Sequence, residues 1–293
     1  MTARRRVVRV PASSANLGPG YDVMAAALDL FLELEVEETG EFSCDPAGLE
    51  VPTGRDNLIV RAFESLHSAD GIAFRVKEAI PLGRGLGSSA AAIVAGLVAA
   101  DHLYELALSQ EELLARATEL EGHPDNVAAA IFGGFVICDP AGDGPPDASR
   151  FPPPDGLEGI LVIPNEEVAT RQAREAIPKE IPLGDALGNI FSAARLTLGL
   201  FRGDLSLIAA SLNDNIHQGR RRDLYPRSME LVEGARGMGA LGATISGAGP
   251  TVLVWTTWQD AGKMIEELER RCGDWAEIRR IPFSNQGADV PEL

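Results

Sequence analysis

Three glycines at alternate positions, Gly83, Gly85 and Gly87, run into Ser88 and Ser89 and then into an Ala-rich apolar segment, and this constrains the chain more than any other feature. Glycine reaches backbone conformations closed to other residues, so successive N–H groups in such a loop can turn toward one anion. A helix beginning near Ser88 adds the positive end of its dipole at the same spot. The two hydroxyls then stand where phosphate oxygens or a bound Mg²⁺ would sit. Pro81-Leu82-Gly83-Arg84-Gly85-Leu86-Gly87-Ser88-Ser89-Ala90-Ala91 therefore reads as a phosphate cradle for a nucleotide. A glycine-rich turn joining a strand to a buried helix is the structural alternative.

Two better-known glycine loops are excluded. A Walker A loop requires lysine after its last glycine, and no lysine occurs between Lys77 and Lys179. A dinucleotide fingerprint requires G-x-G-x-x-G, whereas Gly87 is followed directly by serines.

At 293 residues the chain is long enough for two compact lobes. Its net charge of −17 repels nucleic acid and anionic membrane, so an anionic cofactor needs a local positive site or a metal ion. Cys44, Cys138 and Cys272 are widely separated and show no metal-type spacing with the four histidines, which fits a reducing cytoplasm. Arg4, Arg5 and Arg6 precede an apolar stretch, Val7 to Val10, too short for a signal peptide, and Pro11 interrupts it. The longest apolar run, Ala90 to Ala100, is about half a bilayer span.

Hydrophobic periodicity predicts strands at Val7–Val10, Ala26–Val36, Ile72–Ile80 and Gly133–Cys138, with a loop between the first two. It predicts helices at Asp56–His67, capped by Asp56, at Ala90–Tyr104, and after Ser109, where Ser109 and Glu112 resemble a capping box. Asp139 to Asp155, with six prolines, reads as a surface connector, and the lobe boundary is placed there, giving lobes 1–150 and 151–293. Beyond it, strands are expected at Gly159–Ile163, Leu241–Ser246, Thr251–Trp255 and Trp275–Ile281. Helices are expected at Leu183–Phe201, Leu205–Ile216, Met229–Met238 and Gln259–Cys272, making an α+β arrangement.

Three further clusters each admit two readings. Pro11 to Asp22 is a Gly/Pro/Asn turn, or a loop whose Ser13, Ser14, Asn16 and Asp22 hold a small polar substrate. Glu121-Gly-His-Pro-Asp-Asn126 is a helix end at Gly122 followed by an Asp/Asn cap, or a site in which Glu121 ligates Mg²⁺. Ser246 to Thr251 is a hairpin turn, or a second backbone surface facing the ligand. The run Arg220–Arg222 is a solvated face, unless one of its guanidinium groups clamps a substrate carboxylate.

In this order the four clusters, PASSANLGPGYD at 11–22, PLGRGLGSSAA at 81–91, EGHPDNVA at 121–128 and SGAGPT at 246–251, resemble the GHMP kinases, and within them the homoserine kinases. The resemblance spans essentially the whole chain. It implies a two-lobed α+β fold with the active site in the intervening cleft, and ATP-dependent phosphorylation of L-homoserine. The loop 81–91 would hold the ATP phosphates, with Asn57 near the adenine, and Ser88 and Glu121 would hold Mg²⁺. Asn16, Asp22, His123 and Asn126 look like the homoserine pocket, Asp22 being near the reacting hydroxyl. Thr170 and Arg174 match a Thr-x-x-x-Arg element, and Arg174 with Arg221 would grip the amino acid carboxylate. Glu121, Asp22, Asn126 and Arg174 are thus the catalytic candidates. The run of three arginines leaves the register of the second clamp open by one position. Ala25 and Ala129 depart from the glycine and proline common in the family. The one protein partner the resemblance admits is a second copy of the chain. The alternatives are a relative acting on mevalonate or a sugar-like alcohol, and a silent homologue acting as a binding module.

Overall fold

The computed structural model describes residues 4–78, 80–140 and 144–291. Strand β1 (Arg5–Asn16) and strand β2 (Gly20–Glu38) form a long antiparallel hairpin. Most of the segment expected as a loop at 11–22 is therefore strand. Small side chains allow this, since Ser13, Ser14 and Ala15 pair across from Ala27, Ala26 and Ala25. Only residues 17–19 turn.

Then follow β3 (Ser43–Asp45), α1 (Leu58–Glu64), β4 (Ile72–Glu78), α2 (Ser88–Tyr104), α3 (Gln110–Glu121), α4 (Asp125–Phe132), β5 (Phe135–Cys138) and β6 (Ala148–Phe151). Ala79, within the expected strand 72–80, and residues 141–143 of the expected connector lie outside the described residues. Asn57, not Asp56, caps α1: its side chain accepts from the Ile59 N–H. At α3 both halves of the Ser109–Glu112 capping box form. Helix α2 is buried nearly all round, and its small residues permit close approach, for a Cβ on Gly96 would lie 2.2 Å from the Ile59 carbonyl.

The first sheet runs β3-β4-β2-β5-β6, with β1 also on β2. The connector's β6 pairs with β5, a strand its proline content concealed.

The second sheet, β10-β7-β9-β8, is antiparallel. It comprises β7 (Leu157–Pro164), β8 (Gly242–Ile245), β9 (Val252–Thr257) and β10 (Ala276–Arg280). Strand β7 is buried on both faces: Leu161 and Ile163 join the core shared with the first sheet, whereas Ile160 and Val162 face a second core. This explains its continuous apolar run. Helices α5 (Thr170–Glu175), α6 (Leu183–Arg202), α7 (Leu205–Ala209), α8 (Pro226–Gly234) and α9 (Ala261–Cys272) complete the chain. The helix expected over 205–216 stops at Ala209, because Asp214 takes the Ile216, His217 and Gln218 N–H groups and starts a new turn. A 3-10 helix at Gly219–Leu224 follows, and another at Ala235–Met238 replaces the last turn expected of α8. Past β10 the chain returns to the first sheet, where Phe283 bridges to Leu28 and Asp289 to Arg9.

Candidate active site

Gly83, Gly85 and Gly87 adopt φ of +64°, +72° and +68°, the left-handed region that favours glycine. Gly87 precedes α2 with no side-chain cap, so the first-turn amides at Ser88, Ser89 and Ala90 have no intrahelical acceptor and the helix's positive end is open. Tight packing fixes the loop. A Cβ at Gly85 would lie 2.2 Å from the Ser246 carbonyl oxygen, and one at Gly87 2.1 Å from Ser13 Oγ. Leu86 O accepts from Ser13 N (3.1 Å) and Gly85 O from Ser246 Oγ (2.7 Å), tying the loop to the first and last motifs. The glycines thus serve both the anion-binding conformation and a close-packed turn. Arg84 points the other way. Its guanidinium donates to the Pro164 and Asn165 carbonyls and to Glu167, so it straps the loop to the second sheet.

Two cavities meet at Ser88 and Ser89. One is polar, about 90 Å³, and is lined by all three loop glycines, Leu86, Asn16, Asp22, Glu121, His123, Asn126, Thr170, Arg174 and Arg221. The other is apolar, about 280 Å³, and is lined by Leu82, Asn57, Val51 and Ile80 among others, with space for a flat ring. Ala90 and Ala91 are fully buried, and neither they nor Pro81 line these cavities. Asn57 stands on the apolar wall with its amide engaged, donating to Pro52 O (2.7 Å) while capping α1. These two bonds fix it as part of that wall.

Glu121 ends α3, and Ser89 Oγ lies 2.6 and 2.5 Å from its two carboxylate oxygens. The hydroxyl that hydrogen-bonds Glu121 is that of Ser89, which at the start of α2 faces the end of α3, while Ser88, expected with Glu121 at the metal, lines the same cavity. Burial raises the Glu121 carboxyl above its usual range, opposed by the Ser89 bond and by His123. Among the described residues no group of three His, Cys, Asp or Glu side chains could hold a metal by itself. One carboxylate flanked by hydroxyls at a helix start is nevertheless a donor set that Mg²⁺ accepts together with phosphate oxygens. The residues fit a metal that arrives with its nucleotide.

The far end of the polar cavity is built from paired side chains. Asn16 and Asp22 have positive φ, +71° and +56°. Asn16 accepts from the Asp22 N–H (3.0 Å) and donates to Gly247 O (2.8 Å). The Asp22 carboxylate receives both Arg174 Nη groups, at 2.9 and 3.0 Å. Thr170 opens α5 at the rim, one helical turn from Arg174. Asn126 accepts from Ser13 Oγ (2.8 Å). His123 Nδ1 is buried without a hydrogen-bond partner, and burial together with Arg174 holds the imidazole below its ordinary pKa, hence neutral near pH 7. The ring lines the cavity while its Nδ1 sits inside the wall, 3.8 Å from Asp125 Oδ1.

Of the three consecutive arginines only Arg221 lines the cavity. Arg220 turns to Asp185, and Arg222 pairs with Glu233. Arg221 is buried, donating to Ala173 O (2.9 Å) and Gly247 O (3.1 Å) beside His217 Nδ1 (3.2 Å). His217 Nε2 in turn lies 2.9 Å from Gly18 O, joining this network to the β1–β2 turn. Arg174 and Arg221, the pair expected to grip a carboxylate, both line the cavity and are held there by Asp22 and by backbone carbonyls. Three cavity or supporting residues escaped the sequence reading: Tyr21, Asp125 and His217. Asp125 resembled a helix cap, yet it is buried and burial pushes its carboxyl up to about 6. His217 left one signal, its position one helical turn ahead of Arg221.

Residues 57–134 match the model of the GHMP kinases N terminal domain, and residues 196–274 that of the GHMP kinases C terminal domain. The chain is 43% identical over 269 residues to a homoserine kinase of Thermus thermophilus, covering 90% of this chain and 91% of that protein. A homoserine kinase of Moorella thermoacetica is 37% identical over 295 residues, 97% and 99% of the respective chains. The crystal structure of homoserine kinase from Cytophaga hutchinsonii superposes with a TM-score of 0.87 at 30% identity, covering 99% of this chain and 98% of that one.

Proposed function

The chain belongs to the GHMP kinase family, and from that premise we propose that it is a homoserine kinase, converting L-homoserine and ATP to O-phospho-L-homoserine and ADP. The supporting observation is the meeting, in one cavity, of a backbone anion site and the Asp22–Arg174 pair. A nucleotide lays its base in the apolar cavity and its phosphates across the glycine loop onto the start of α2. Mg²⁺, held by Glu121 with the hydroxyls of Ser88 and Ser89, would neutralise charge on the phosphates.

The amino acid lies at the far end. Its carboxylate competes for the Arg174 guanidinium and for Arg221, and Asp22, released from Arg174, turns to the side-chain hydroxyl. Asn16 and Asn126 hold the segments that carry these groups, and the His123 ring walls the substrate's polar end. The hydroxyl oxygen bonds to the γ-phosphorus as the bond to the ADP oxygen breaks. The hydroxyl proton passes to Asp22 or to water. Positioning and charge neutralisation supply most of the acceleration, so no strong base is needed.

We assign the product to the route to threonine and the enzyme to the cytoplasm, in keeping with its reduced cysteines. Among the described residues no helix is long and apolar enough to cross a membrane. The working division remains residues 1–150 for the nucleotide and 151–293 for the clamp. The test is ATP consumption by the purified chain with L-homoserine, against mevalonate and galactose-like alcohols. Homoserine should dominate kcat/KM; preference for another alcohol, or no turnover, sinks the reading.

A further inference from the structure

Arg221 is 2% exposed, and among the described residues no carboxylate pairs with it; Asp22, the acid on the same cavity, is taken by Arg174. Neutral groups hold it instead. Nε donates to Ala173 O (2.9 Å), and Nη1 divides its two hydrogens between Gly247 O (3.1 Å) and His217 Nδ1 (3.2 Å). The Tyr21 ring covers the guanidinium, its centroid 5.5 Å from Cζ. A buried cation without a counter-ion is costly, so such a group is poised for an anion that arrives from outside. Three of its five N–H groups are spent on the protein, which leaves the Nη2 edge for that ligand.

His217 stands behind this arginine. It is fully buried, does not line the cavity, and has both ring nitrogens engaged by the protein, so it touches no substrate. The partners dictate which nitrogen carries the proton. A carbonyl oxygen only accepts, so Nε2, 2.9 Å from Gly18 O, is the N–H; a guanidinium only donates, so Nδ1 presents its lone pair to Arg221. Burial and the Arg221 charge keep the ring neutral against the pull of Asp22 and of Asp214, whose carboxylate lies 3.8 Å from Nε2. The other tautomer, or an imidazolium, would aim a second donor at the guanidinium. The ring is also anchored independently of Arg221. Asp214 takes the 216–218 amides, Gln218 Oε1 accepts from Ile245 N (2.7 Å), and the Tyr21 ring packs 5.3 Å from the imidazole.

We propose that His217 is a positioning residue for the substrate carboxylate, an acceptor at Nδ1 that orients Arg221 so that its Nη2 edge faces the cavity. This rests on the reading of Arg221 as part of the homoserine clamp. The competing role is structural, a strut that holds the β1–β2 turn through Gly18 and owes nothing to the contact with Arg221.

Two substitutions separate these roles. In His217→Asn the side-chain oxygen takes the place of Nδ1, and the contact with Gly18 is lost. In His217→Gln the amide nitrogen reaches Gly18 O, and the acceptor at Arg221 is lost. Steady-state kinetics of the full chain should give His217→Gln a KM for homoserine about tenfold or more above that of His217→Asn, the worth of a hydrogen bond to a charged group, with KM for ATP alike in both. Equal values or the reverse order make His217 a strut and overturn the proposal. The parent protein is read in the same assay: if it ignores homoserine, the substrate reading falls and this proposal with it, whereas a working parent with the wrong order of variants sinks this proposal alone. Should either variant fail to fold by circular dichroism, heteronuclear NMR of the parent's imidazole nitrogens decides. His217 should read as the neutral Nε2–H tautomer near pH 7; an Nδ1–H tautomer or an imidazolium there overturns the proposal.

Discussion

The two ends of the polar cavity are made of different material. The end proposed for the nucleotide is backbone: three left-handed glycines and the first-turn amides of α2, with contacts at Gly85 and Gly87 where even a methyl group would collide. The end proposed for the alcohol is side chain, and its charged groups are already partnered, Asp22 with Arg174 and Arg221 with two carbonyls. A backbone site is rigid and needs no charge of its own, whereas a side-chain site must exchange partners when substrate enters. Affinity for nucleotide should therefore track loop geometry, and affinity for homoserine should track which ion pair breaks.

The largest effect should come from Gly85→Ala. Its Cβ would meet the Ser246 carbonyl oxygen at 2.2 Å with φ at +72°, so nucleotide binding should be lost and the melting temperature should drop. Gly122→Ala is the control. It has φ of +91° but open space around it, and should cost only the left-handed penalty of about 1–2 kcal/mol. Equal effects at the two sites would break the view that contact, rather than conformation alone, holds the loop.

Glu121→Gln keeps the Ser89 hydrogen bond but removes the charge, and should lower kcat about a hundredfold or more with the fold intact. Near-normal turnover would remove its metal role. Arg174→Ala should raise KM for homoserine about tenfold to a hundredfold, the worth of a charge-assisted hydrogen bond or two, with KM for ATP little changed. Parallel changes in both constants would erase the division between the two ends.

The last effect concerns stability rather than turnover. Asp125 has its carboxyl raised from 3.8 to about 6 by burial, so ionising it costs the folded state more than the unfolded one. Its contribution is fully present below pH 3.8 and is lost as pH rises toward 6. Asp125→Asn, which can still accept the Asn126 N–H, should be more stable than the parent above pH 6 by up to about 3 kcal/mol and should lose that advantage near pH 4. Thermal melts of the two proteins across pH 4–8 read this directly; a constant difference would contradict it.

What was legible in the sequence was local. The glycine loop, the α3 capping box and the helix end at Gly122 each rest on residues within a few positions of one another. The motifs named most of the cavity-lining residues, because each motif is a short segment that reaches the cavity whole. The extension of β1 and β2 through 11–16 and 20–25 stayed hidden behind Gly and Pro, since its pairing depends on small residues matched across strands. Asp214 hid the end of α7, as a single side chain capturing three amides leaves no periodic trace. Which hydroxyl meets Glu121, and which of three arginines reaches the cavity, depend on how helices face each other.

The sequence by itself determined the conformations that only particular residues permit, above all a loop that must turn left-handed three times before an uncapped helix. Tertiary structure decided the partners. Asp22 and Arg174 lie 152 residues apart, and Arg221 reaches a carbonyl 48 residues away, so their pairing follows from the packing of two sheets on one core. Backbone preference is a property of neighbours in the chain, whereas charge pairing in a cleft belongs to whichever segments the core brings together.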